Sequence, residues 1–216
     1  MKTIKRIVAV TLLLCFVCIL VFTGVSAQNS RNTRSIVLYY DSTLPNGIVA
    51  NLWTMTSSAT NAFNTTFGLS FSIQSSSQSN LLNGSACPRP NNQECILLAN
   101  GCGASCNGVH HKSAERLLGR VPNLGTTHSL GFVGHYLCAQ TGAGHIKAGG
   151  AAFTSTRRAL VTNEWHESLS FLIQHELSHN LGALDHAGNA RCVLRSNATF
   201  MSEWCATCSA TIRRNI

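Results

Sequence analysis

The stretch His175-Glu176-Leu177-Ser178-His179-Asn180-Leu181-Gly182-Ala183-Leu184-Asp185-His186 constrains this chain more than any other. On a helix, His175 and His179 leave the same face on adjacent turns. Two imidazoles so placed can share one zinc ion at about 2.0–2.1 Å each. Glu176, beside the first, reaches a water on such an ion rather than the ion itself. The site is unfinished, because zinc normally takes at least three protein ligands. A straight helix would carry Asp185 about 9 Å past His179 along the axis. A third ligand at 185 or 186 therefore requires the helix to stop, and Gly182 can take the left-handed conformation that stops it.

His-Glu-x-x-His alone is a weak signal, since it fixes only three positions. Its surroundings strengthen it. A helix expected over Glu167 to Leu181 carries Leu169, Phe171, Leu172, Ile173, Leu177 and Leu181, apolar almost all round, and so should be buried. Aspartate is scarce, with Asp41 and Asp185 the only two, so finding one at a ligand position is unlikely to be chance.

Export is the next constraint. Lys2, Lys5 and Arg6, an apolar run from Ile7 to Phe22, and Val25-Ser26-Ala27 have the layout of a secretory signal peptide cleaved after Ala27. The rival is an uncleaved anchor, since the apolar run is long. Cleavage removes three of the positive charges behind the net +8 and two of the 10 cysteines, Cys15 and Cys18. Residues 28–216 then form one secreted domain with an even set of cysteines, for which disulfides are the default. The remaining basic residues stand singly or in pairs, as on a solvated surface, so no nucleic-acid partner is expected.

Ser35–Tyr40 reads as a first buried strand, Ile48–Phe63 as a backing helix, and Leu69–Ile73 as a second strand. This order opens an α/β fold with a parallel pairing. Ser75–Glu94 reads as a long loop, Cys95–Ala99 as a short strand, Ala114–Leu118 as a helical turn, Ser129–Cys138 as a strand and Gly142–Gly150 as a glycine-rich loop. Cys102-x-x-x-Cys106 resembles metal spacing, but export favours disulfides. His110 and His111 read as surface residues, and His128, His135, His145 and His166 as structural ones. Gly150–Thr154 and Ala159–Thr162 form extended pieces before the helix, where a sheet edge could accept a peptide as an added strand. Three Asn-x-Ser/Thr sites, at Asn64, Asn83 and Asn197, match the glycosylation pattern.

On these residues the chain resembles the metzincin zinc metallopeptidases. His175 to Asp185 is similar to their long zinc-binding consensus, and Met201 in Thr199-Phe200-Met201-Ser202 to their methionine turn. Most metzincins have a third histidine where this chain has Asp185. Snapalysin-type proteases carry Asp-His there, as here, and adamalysin-like ones His-Asp. The spacing from Gly182 fits the consensus at Asp185, and His186 lies one residue too far.

The resemblance implies a mixed, twisted sheet with backing and active-site helices. It also implies an upper lobe over residues 28–182 and a small lobe over residues 183–216, pinned by Cys192, Cys205 and Cys208 as disulfides. It further implies one catalytic Zn2+ on His175, His179 and Asp185, with Glu176 as general base and acid. The expected activity is monomeric, secreted endopeptidase action on protein or peptide substrates, with no membrane contact after signal cleavage. The alternatives are a secreted disulfide-rich metal-binding or interaction protein without hydrolysis, or a zincin with a more distant third ligand such as Glu203.

Overall fold

A computed structural model describes residues 32–81, 95–97, 110–135, 137–141, 144–154, 156–164, 168–187, 191–195 and 203–216. The fold described here belongs to the unit Arg34–Ile216. The signal-peptide reading and Met201 lie outside the described residues, as do Cys87, Cys102 and Cys106.

The main sheet has five strands in the order β2-β1-β5-β9-β8. These are β1 (Thr33–Tyr40), β2 (Ser70–Gln78), β5 (His128–Val133), β8 (Gly150–Ala152) and β9 (Arg158–Thr162). β5 is the central strand and every residue of it is buried. It runs parallel to β1, with Leu38 opposite Leu130, and to β9, with Leu130 opposite Ala159. β8 lies antiparallel on β9 and ends the sheet.

Alternation along these strands separates two cores. Ile36, Leu38, Leu130, Phe132, Ala159 and Val161 face one side. There they meet helix α1 (Asn46–Phe67) and helix α3 (Leu169–Asn180). Leu160 and Val133 face the other side, against Leu117 and Leu118 of helix α2 (Ala114–Arg120). The backing helix is longer than the expected Ile48–Phe63, starting at Asn46 and ending where Gly68, at φ 67°, donates to the Asn64 carbonyl. As expected, α3 is buried on nearly every side.

A second, four-stranded sheet, ordered β3-β4-β6-β7, corrects several expectations. Its strands are β3 (Cys95–Leu97), β4 (His110–Ser113), β6 (Leu137–Thr141) and β7 (Gly144–Ala148). The single strand expected over Ser129–Cys138 is two, because the chain leaves the main sheet after Val133 and enters the second at Leu137. The glycine-rich stretch expected as a loop forms β7 and the start of β8, since glycine lowers strand propensity without forbidding extended backbone. The C-terminal lobe contains helix α4 (Ala206–Arg214), which short-range pattern did not reveal. No helix among the described residues is long and apolar enough to cross a membrane.

His128, read as structural, begins β5 with no exposed surface. The Asn180 amide nitrogen donates to Phe153 O and Arg158 O, which leaves its oxygen to accept from His128 Nδ1 at 3.4 Å. Burial, reinforced by the Arg34 charge, lowers the His128 pKa from 6.5 to about 4. Between those values the unfolded chain binds the extra proton, so stability rises with pH across that window and is lost as pH falls through it. The expected loss is on the order of 3 kcal/mol between pH 6.5 and 4. Urea unfolding across that range should show it, and His128→Gln should flatten the slope.

Candidate functional site

Helix α3 starts cleanly, with the Ser168 side chain accepting from the Phe171 N–H at 3.3 Å. Its other end builds the site. Gly182 sits at φ 85°; its N–H donates to His179 O at 2.8 Å, and the Ala183 N–H donates to Ser178 O at 3.2 Å. This pair of bonds is a Schellman motif, which satisfies the last carbonyls while reversing the chain. Asn215 donates to Leu181 O at 3.1 Å and covers the turn from below.

The reversal returns Asp185 to the histidine face. His175 Nε2 lies 3.1 Å from His179 Nε2. Asp185 Oδ1 lies 3.3 Å from the first and 3.6 Å from the second. Ligands of a tetrahedral zinc at about 2.05 Å stand about 3.3 Å apart, so these atoms have the spacing of three corners. The remote ring nitrogens are fixed as well. His175 Nδ1 donates to Val193 O at 2.7 Å, and His179 Nδ1 donates to Ala183 O at 2.8 Å. A carbonyl only accepts, so each Nδ1 keeps its hydrogen, and in the neutral ring each Nε2 offers its lone pair inward.

Electrostatics agree with a site shaped for a cation. Burial opposes charge on His175, but the Asp185 hydrogen bond, the Glu176 and Asp185 charges and the Val193 carbonyl outweigh it and raise its pKa to about 9. His179 is lowered, first by burial and then by the His175 charge. For Asp185, burial acts upward, but hydrogen bonding and charge from His175, with His179 and His186, bring it below the usual range. Glu176 is pushed up to about 7 by burial, with His175 pulling the other way. Its Oε2 is buried with no hydrogen-bond partner among the described residues. Such an orphaned carboxylate oxygen beside three convergent ligand atoms fits a metal and its water.

β8 forms the wall beside Glu176. A Cβ on Gly150 would stand 2.6 Å from Glu176 Oε1 and 2.5 Å from Leu160 O. Only glycine lets the edge strand pass this close to the carboxylate.

Next to this site is a second group that sequence reasoning did not assemble. His186, Cys192, Cys205 and Cys208 each offer a ligand atom, all within 4.8 Å of one another. Cys192 Sγ and Cys208 Sγ are 3.7 Å apart, close to the 3.8 Å or so between thiolates on one tetrahedral zinc. Cys205 Sγ is 3.5 Å from His186 Nε2. These three cysteines are free thiols, not the disulfides expected of an exported chain. A signal is present in the sequence as Cys205-x-x-Cys208, a zinc spacing. A cavity of about 420 Å³ lies along both groups, lined by Gly182 to His186 and by Cys205, Thr207, Cys208 and Thr211.

No family model and no curated protein matches this chain. Among solved structures, it is similar to archaemetzincin from Methanopyrus kandleri, at 17% identity and a TM-score of 0.58, over 85% of this chain and 96% of that one. The likeness is one of fold. A protein described as a zinc-dependent peptidase from Methanocorpusculum labreanum (strain Z) matches at 13% identity and a TM-score of 0.48, over 82% of this chain and 99% of that one.

The geometry around Gly150 makes a direct prediction. Gly150→Ala should cost about 1–3 kcal/mol through overpacking against Leu160 O and Glu176. Gly119→Ala, where an added Cβ meets nothing within 4 Å, serves as a control and should be neutral or mildly stabilising. Chemical denaturation of both variants checks the contrast.

Proposed function

We propose that this chain is a secreted zinc endopeptidase, with His175, His179 and Asp185 as metal ligands and Glu176 as the catalytic acid and base. The observation that carries this reading is the triangle of two Nε2 atoms and one Oδ1, 3.1–3.6 Å apart, beside a buried carboxylate oxygen without a partner. His186 belongs to the thiol group, which favours Asp185 as third ligand.

Zinc held by these three residues would supply a Lewis acid able to acidify a water toward neutral pH and to polarise a peptide carbonyl. Glu176 Oε2 takes the proton from the attacking water and later delivers it to the departing amine. Its burial keeps that proton close to the reacting atoms instead of losing it to solvent. Asp185 brings a negative charge that partly offsets the ion's, so the water is less acidic than on three histidines. The Nδ1 bonds to Val193 O and Ala183 O hold the two rings in place. β8, with one edge free in the described sheet, offers backbone groups on which a peptide can lie as an added strand. Residues 1–27 direct export, and the mature chain acts as a monomer on proteins or peptides.

His186, Cys192, Cys205 and Cys208 hold a second zinc in this reading. Four protein ligands leave no open position, so its role is structural.

Glu176→Gln should lower peptide hydrolysis by about 10²–10⁴-fold while zinc remains bound. Asp185→Ala should lose zinc from the histidine centre. Zymography with and without a chelator, paired with metal analysis, checks both. Full activity in Glu176→Gln would overturn the mechanism, and a zinc-loaded wild type without hydrolysis would favour a non-catalytic metal-binding protein.

A further inference from the structure

We propose that the His186/Cys192/Cys205/Cys208 centre assembles the catalytic one, so that filling it tightens zinc binding by His175, His179 and Asp185. The inference rests on the two-metal reading above and adds a coupling between the sites.

Three ties connect them. Asp185 and His186 are consecutive, so one peptide bond joins a ligand of each centre. His175 is oriented by Val193 O, and Val193 follows Cys192. Ser178, on α3 between the two histidines, accepts from Trp204 Nε1 at 2.8 Å, and Trp204 precedes Cys205. Each thiol-centre ligand in these ties thus has a chain neighbour that supplies or orients part of the catalytic site.

The loop between the centres explains why the ties matter. Residues 182–186 border the 420 Å³ cavity, Leu184 is 66% exposed, and the Asp185 side chain is 54% exposed. Little packing fixes Asp185 from either side, so its position is set by the two ends of the loop. The Gly182 turn holds one end. The other is held by His186, through its N–H bond to Leu194 O at 3.1 Å and its imidazole in the thiol group. Among the described residues, that imidazole is restrained by a 3.5 Å contact to Cys205 Sγ. With a metal there, four side chains from three chain segments are fixed to a single point, and the ordering of Asp185 is completed before the catalytic ion arrives.

The test follows zinc affinity and not turnover. In wild type, Co2+ at the thiol centre is identified by sulfur-to-cobalt charge-transfer absorption, which the nitrogen- and oxygen-ligated centre lacks. Zinc affinity of the catalytic centre is then measured by competition with a chromophoric chelator in wild type, Cys208→Ser and His186→Cys. Cys208→Ser should weaken that centre by between about 5- and 150-fold, the range of ordinary site–site coupling. His186→Cys, which keeps four ligands, should restore wild-type affinity. Reciprocity requires Asp185→Ala, with every thiol ligand intact, to weaken cobalt binding at the thiol centre by a comparable factor. This arm decides the matter if circular dichroism shows Cys208→Ser unfolded. Charge transfer in wild type with unchanged affinities in the variants would overturn the coupling alone. Absence of charge transfer would overturn the two-metal reading beneath it.

Discussion

When a helix stops, the carbonyls of its last turn need new donors, and here Gly182 and Ala183 provide them to His179 and Ser178. The reversal does more than satisfy those groups. It directs Ala183 O at His179 Nδ1 and places Asp185 within 3.3 and 3.6 Å of the two Nε2 atoms. A residue with a Cβ at Gly182 would meet strain at φ 85° and Asn215 Nδ2 at 2.7 Å. Capping, the His179 tautomer and the position of Asp185 therefore all depend on one left-handed glycine.

The protein around that turn supplies rigidity. α3 packs on a sheet whose central strand is wholly buried, so its histidines project from an element with little freedom to shift. Phe63 and Phe67 of α1 place their rings 4.8 Å from that of Trp204, whose indole N–H reaches Ser178 on α3. The backing helix, the active helix and the C-terminal lobe thus meet at one aromatic contact. The polar atoms of the site are organised by their neighbours, with two imidazoles held by backbone carbonyls and one carboxylate by burial against a glycine.

Much of this was legible because it is local. His175, Glu176, His179, Gly182 and Asp185 fall within eleven residues, and helix periodicity converts their spacing directly into geometry. β1, β9 and the apolar helix could be read for the same reason. Long-range pairing was not legible. The second sheet joins Leu137–Thr141 to glycine-rich Gly144–Ala148, where propensity is weak and tertiary context decides. Val193, which orients His175 from 18 positions away, had no signal at all. Cys205-x-x-Cys208 had one, but its meaning depended on where Cys192 and His186 lie in space.

The thiol group also bears on how so short a C-terminal lobe holds its shape. Its buried apolar residues are few, chiefly Cys192, Val193, Leu194, Cys208 and Ile212, and they join the main core. One disulfide among these cysteines would close a loop of at most some 17 residues, worth about 3 kcal/mol through the unfolded state. It would also leave one thiol and His186 unpaired. A structural zinc contributes on the order of 10 kcal/mol or more in small domains and uses all four groups at once. It fixes the angle of each side chain as well as the loop ends, which a disulfide does for only two of them. Asp185, next to His186 and with its side chain 54% exposed, would gain that angular control. Metal in place of disulfide is thus the arrangement that suits both the lobe and the site it supports.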